Sequence, residues 1–134
     1  MLLLAAAAVL ALVGAARAQC DLQQHVAGGV HYIVSPNYPL NYTAGTQCRW
    51  CITADPGAQL KLSCGVFKLP ASTNCTGDRV RISLSGDDSL NDAHVYCGQR
   101  TFTLLSDANK LTMVLETLYT STGGLFLCNM RLYR

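Results

Sequence analysis

The 134 residues carry little charge, few aromatics and no helical stripe. Asp, Glu, Lys and Arg make up 13% of the chain and Phe, Trp and Tyr only 7%, with a single Trp. Lys and Arg form no run, and the formal charge is only +2. Polyanions and anionic lipid surfaces select basic clusters, so neither nucleic acid nor a membrane is expected as a partner. Catalytic signatures are also missing. No Gly-x-Ser-x-Gly elbow, trypsin-like Gly-Asp-Ser-Gly-Gly run, phosphate loop or dinucleotide fingerprint occurs, and Ser85-Gly86-Asp87 has the wrong order for the trypsin run. A serine nucleophile needs a base and an orienting group on a rigid scaffold, so the chain reads as non-enzymatic and without a cofactor. His25, His31 and His94 are scattered, with no i, i+2 or i, i+4 partner. Oxidised cysteines cannot ligate zinc, so ordinary surface or core roles are expected for these histidines.

Only one long apolar run exists. Met1 to Gly14 is nearly all Leu, Ala and Val, and Ala16-Arg17-Ala18 is a small-x-small cleavage site. Residues 1–18 therefore read as a signal peptide, with the mature chain beginning at Gln19. The run is too short to span a bilayer comfortably, and Arg17 ends it. The expected location is secreted and extracellular. Residues 19–134 suffice for one domain and not two.

Cysteine is abundant: seven residues. Six would close a disulfide framework in an oxidising compartment, and the seventh has no partner within the chain. Hydrophobicity alternates with period 2, the mark of half-buried strands. Leu60, Leu62, Cys64 and Val66 alternate with Lys61, Ser63 and Gly65. Val80, Ile82 and Leu84 form a second stripe, and Leu111, Met113 and Leu115 a third, against Lys110, Thr112 and Val114. Turn signals separate the stripes at Ser35-Pro36-Asn37-Tyr38-Pro39, Asp55-Pro56-Gly57, Ser85-Gly86-Asp87-Asp88 and Thr122-Gly123-Gly124. An all-β sandwich of antiparallel sheets follows, with a barrel as the alternative from pattern alone.

The run from Ser35 to Tyr42, followed by Cys48-Arg49-Trp50-Cys51-Ile52, resembles the opening of a CUB domain. Phe67, then Cys75-Thr76-Gly77-Asp78-Arg79-Val80-Arg81-Ile82, is similar to its middle, and Tyr96-Cys97-Gly98, Ser106 to Leu111 and Gly124-Leu125-Phe126 to its end. The resemblance covers nearly all of residues 19–134. It extends to the CUB modules of secreted arthropod proteins, both those of venom and saliva and those preceding trypsin-like proteases. It implies two packed antiparallel sheets of about five strands each.

The family pairs its first two and its second two cysteines, which by resemblance gives Cys20–Cys48 and Cys75–Cys97. Cys51, Cys64 and Cys128 remain. Cys64 shares a face with Leu60 and Leu62, and Cys128 with Phe126, so a Cys64–Cys128 bridge is expected between neighbouring strands or sheets. Cys48, Trp50 and Ile52 share the inward face of their strand, which turns Cys51 outward. Cys51 then has two readings: an interchain bridge making a disulfide-linked homodimer or a link to another protein, or a thiol shielded beneath a loop or capped.

Many CUB domains bind calcium through clustered carboxylates, as a hard cation requires. By resemblance Asp78 matches one acidic position. The acid expected after Phe67 falls near Pro70, and the aspartate expected after Leu115 near Leu118. A calcium site is therefore not expected, and Asp78 is expected to make a structural hydrogen bond near Cys75. Asp87, Asp88 and Asp92 read as solvated loop charge, with ion binding by that acidic loop as the alternative. Asn41-Tyr42-Thr43 and Asn74-Cys75-Thr76 satisfy the glycosylation sequon, the second in competition with oxidation of Cys75.

The resulting expectation is a secreted module that recognises an extracellular protein or glycan through loops Val34–Gln47, Leu69–Gly77 and Ser85–Val95. Tyr38, Tyr42, Arg79 and Arg81 are candidate contact residues, with turn packing preferred for the tyrosines and a solvated strand face for the arginines. The alternative is the amino-terminal CUB module of a truncated trypsin-like protease zymogen.

Overall fold

The computed structural model describes residues 20–134; the expected signal peptide lies outside them. Nine strands follow in order: β1 (Cys20–Val26), β2 (His31–Val34), β3 (Gln47–Ala54), β4 (Gln59–Lys68), β5 (Arg79–Ser83), β6 (His94–Tyr96), β7 (Phe102–Leu105), β8 (Lys110–Glu116) and β9 (Leu125–Tyr133). One 3-10 turn, Thr73–Cys75, precedes β5. The strands form a five-stranded sheet, β1-β3-β8-β5-β6, and a four-stranded sheet, β2-β9-β4-β7. The all-β sandwich expected from the alternation is present. Its sheets are antiparallel except at one edge, where β1 runs parallel to β3. The Cys20–Cys48 bridge lies across that parallel pair, at directly opposed positions.

β3 shows the alternation most cleanly. Cys48, Trp50, Ile52 and Ala54 are buried, and Arg49, Cys51 and Thr53 face out. Two stripes depart from strict period 2. In β4 the inward residue after Cys64 is Phe67 and not Val66, because the register against β9 slips between Cys64 and Val66. The additional residue, Gly65, is a β-bulge that reverses the parity of everything after it. In β8, Thr112 and Val114 are buried as well as Leu111, Met113 and Leu115. β8 is the central strand of its sheet, flanked by β3 and β5. Asp88, from the loop after β5, lies over it and accepts a hydrogen bond from the Thr112 hydroxyl at 3.3 Å.

The interior is one continuous apolar core. Trp50 of the five-stranded sheet meets Phe126 of the other edge-on at 5.7 Å, and Phe126 stacks on Phe67 at 6.1 Å. Disulfides do not cross this interior. Cys64–Cys128 joins opposed positions of β4 and β9 within one sheet, and Cys75–Cys97 ties the 3-10 turn to the end of β6. Inter-sheet cohesion is therefore the work of buried apolar surface, at about 25 cal/mol per Å².

Candidate functional site: the loop end organised by Asp78

Asp78 immediately precedes β5 and is 2% exposed. A buried carboxylate is costly unless charge-assisted hydrogen bonds replace its water. Here three donors from two other segments do so. The Tyr42 hydroxyl donates to Oδ2 at 2.7 Å, the Leu118 backbone N–H donates to Oδ1 at 2.9 Å, and the Ser121 hydroxyl donates to Oδ2. Burial, and then the hydrogen bond to Asp78, push the Tyr42 pKa far above its usual value, so the phenol remains a donor. Tyr42 N–H donates to the Gly124 carbonyl at 2.9 Å, and Gly45 N–H to the Leu118 carbonyl at 2.9 Å. Gly124 is required by crowding: a Cβ there would lie 2.5 Å from the Lys68 carbonyl oxygen.

One carboxylate thus fastens three loops: residues 35–46, 69–78 and 117–124. A shallow recess of about 190 Å³ opens beside it, lined by Pro70, Ser72, Asp78, Leu118 and Ser121 among others. Around this end Leu40 is 72% exposed, Leu118 46% and Tyr119 93%. Calcium does not fit these residues. It takes six to eight oxygen ligands with several carboxylates, whereas the only carboxylate here is already engaged by protein donors on both oxygens. Pro70 and Leu118 add no charge, and Glu116 points elsewhere, to Arg79 and Arg81.

The other singled-out residues are dispersed. Tyr42 is interior and offers no contact surface; Tyr38 is half-buried. Arg79 and Arg81 are not free either: their Nε atoms lie 3.0 and 2.8 Å from Glu116 Oε1. The loop Ser85–Val95 departs from the opposite end of β5 and folds over the outer face of the five-stranded sheet, so it shares no surface with the other two named loops. Within it each acid has its own partner. Asp87 accepts from the Ser89 and Asn91 backbone N–H groups, Asp88 meets Arg49 and Thr112, and Asp92 accepts from Ser83 and Ser85. The two serine hydroxyls hold the Asp92 carboxyl below the usual range. Among the described residues no group of three or more His, Cys, Asp and Glu side chains could hold a metal ion.

Cys51 lies half-buried beneath this loop, its Sγ 3.7 Å from Asp88 Oδ1. Burial, then the Asp88 charge, push its thiol pKa up. His25 spans β1 and β3, with Nδ1 3.0 Å from the Thr53 hydroxyl and Nε2 3.1 Å from Asp55 Oδ1. His31 Nδ1 lies 2.7 Å from Gln24 Nε2. Asn41 and Asn74 are both exposed. The partners of Asp78 in loop 117–124 were not anticipated. Their signal was the Ser121-Thr122-Gly123-Gly124 turn, which read only as a loop.

The CUB domain profile matches residues 20–127. The chain is 31% identical over 114 residues to venom serine protease 34 of Apis mellifera, covering 84% of this chain and 25% of that protein. It is 31% identical over 91 residues to cubilin of Sus scrofa, covering 66% of this chain and 2% of that protein. The chain thus spans a quarter or less of the length of these relatives. Among solved structures, the CUB1-EGF-CUB2 domains of rat MASP-1 superpose with a TM-score of 0.68 at 18% identity, over 83% of this chain and 42% of that one. A MASP-1 CUB2 domain bound to Ca2+ superposes at 0.66 with 16% identity, over 81% of this chain and 96% of that one. Profile, relatives and sandwich topology agree: this chain belongs to the CUB domain family, whose members are non-catalytic protein-interaction modules.

Proposed function

We propose that the chain is a secreted, extracellular binding module that recognises a protein or glycan with the loop end fastened by Asp78. The rigid union of loops 35–46, 69–78 and 117–124 carries this reading. Rigid loops spend little ordering entropy on binding, and Leu40, Leu118 and Tyr119 give this end exposed apolar surface. The disulfides suit an oxidising compartment. Asn41 lies on the same loop end and is proposed as a glycosylation site; Asn74 is a second.

Chemical cross-linking of the purified chain in the extracellular fluid it is secreted into, followed by mass spectrometry, tests the reading. Cross-linked peptides should map to residues 35–46 and 117–124, and Leu40→Ser with Tyr119→Ala should reduce capture at least tenfold while the fold is retained. Capture unaffected by the pair overturns the assignment.

A second reading has one specific support. The alignment with venom serine protease 34 runs over most of this chain but only a quarter of that protein. This chain would then be the amino-terminal module of a protease zymogen. A transcript continuing past Arg134 into a catalytic region would establish it, and a stop codon there would exclude it.

A further inference from the structure

The two sheets differ in what lies on their outer faces. On the five-stranded sheet the three arginines have acids: Arg49 faces Asp88, and Arg79 and Arg81 share Glu116, while Lys110 at the start of β8 has none among the described residues. The loop after β5 folds over part of that face, at Arg49, Cys51 and Thr112. The outer face of the four-stranded sheet is open, and its cations have no acid. Lys61 of β4 stands directly opposite Arg131 of β9, and Lys68 lies at the far end of β4, opposite Leu125. Directly opposed like charges destabilise a sheet pair. Neither residue takes part in any ion pair among the described residues.

The eight carboxylates explain why. Asp21 is on β1 and Glu116 on β8, both in the other sheet; Asp78 is buried; Asp55, Asp87, Asp88, Asp92 and Asp107 lie in loops. None lies on a strand of the four-stranded sheet. The sequence hides this cluster, because its members come from strands some sixty residues apart and meet only through register.

Between the Lys61–Arg131 pair and Lys68 runs an apolar row. The register sets Val34 of β2 beside Leu127 of β9, and Leu127 beside Val66 of β4. Gly65 makes this row, since the bulge turns Val66 outward. Tyr32 adjoins it and is 66% exposed. Leu127 and Arg131 are four residues apart on one strand, about 13 Å. Apolar centre and charged rim form the usual anatomy of a protein-binding patch.

We infer that the outer face of the four-stranded sheet, centred on Val34, Leu127 and Val66 and rimmed by Lys61, Lys68 and Arg131, docks an acidic protein segment bearing apolar or aromatic side chains. The apolar row selects a protein over a sulfated glycan, which offers the charge but no side chains to bury. The inference rests on the proposal that the chain binds extracellular protein, and adds a second surface to it.

The test measures binding of immobilised poly(Glu,Tyr) copolymer to the full chain, with poly-Glu, heparin and phosphatidylserine vesicles as comparators. Poly(Glu,Tyr) should bind better than all three, and Lys61→Glu with Arg131→Glu should weaken it by about tenfold or more, with Lys61→Gln and Arg131→Gln intermediate. Val34→Ser with Leu127→Ser should weaken poly(Glu,Tyr) toward poly-Glu. Lys110→Glu, on β8 of the other sheet, should change nothing. The inference is overturned if the charge-reversed chain, still folded by circular dichroism, binds as well as wild type. It is equally overturned if Lys110→Glu has the same effect, or if heparin, vesicles or poly-Glu bind as tightly as the copolymer. If the reversed chain still cross-links its partner in extracellular fluid, the sheet face is wrong and the protein-binding reading stands. If wild type binds neither copolymer nor partner, both fail.

Discussion

Asp78 accepts hydrogen bonds from three donors in two other segments of the chain. Replacing it with Ala strands a buried Tyr42 hydroxyl and a Leu118 N–H, so chemical denaturation should show a loss of about 3 kcal/mol, with Asp78→Asn costing less. Tyr42 carries a pH signature. Its folded pKa is raised above the unfolded value of about 10, so its contribution is complete below that value and declines as pH rises beyond it. A melting profile should therefore be flat across neutrality on this account and fall above about pH 10, and Tyr42→Phe should remove that alkaline limb. Cys51 tests the covalent-dimer reading. A thiol held under a loop, with its pKa raised, is a poor partner for disulfide exchange. Non-reducing intact mass should give a monomer whose single thiol alkylates slowly at pH 8; a mass of two chains that halves on reduction would instead establish the homodimer. The outward direction of Cys51 was readable from the alternation of Cys48, Trp50 and Ile52. That Asp88 would lie against it was not, because a loop's resting place leaves no period in the sequence.

At the scale of elements, the stripes in β3, β4 and β5 could be read because one face of each meets the core while the other meets solvent or long polar side chains. Two features escaped that logic for definite reasons. Gly65 shifts β4 by one residue, and a bulge has no signature beyond a glycine in a strand. β8 is covered on both faces, so its outer Thr112 and Val114 carry no polar contrast. The cover depends on a close backbone approach at Gly86. Gly86 adopts φ +75°, and a Cβ there would meet the Lys110 side chain at 2.4 Å. Gly86→Ala should lift the loop and accelerate Cys51 alkylation severalfold, with little change in global melting. Asp92 adds an acid limb. Its folded pKa is lowered, so the tie to Ser83 and Ser85 holds above the unfolded value of about 3.9 and is lost as pH falls through the folded one. Amide exchange confined to residues 84–93 should rise under acid before the sandwich unfolds.

For the whole molecule, the sheets are stapled individually and joined by packing. Removing the Cys64–Cys128 bridge, whose ends lie 64 residues apart, should cost about 4 kcal/mol on a chain-entropy account. Calcium and its chelators should leave the melting temperature unchanged, since no donor set at the loop end can take the ion. The strand order also has a consequence for how the protein is made. β8 lies at the centre of one sheet and β9 between β2 and β4 in the other, yet both come from the last quarter of the chain. A ribosome delivering the polypeptide amino end first therefore releases seven strands before either sheet can close. Throughout that interval Cys64 waits as a thiol for a partner that emerges near the very end. The bond between residues 64 and 128 thus registers completeness: a nascent chain cut short before residue 128 lacks the partner that Cys64 takes in the finished sandwich.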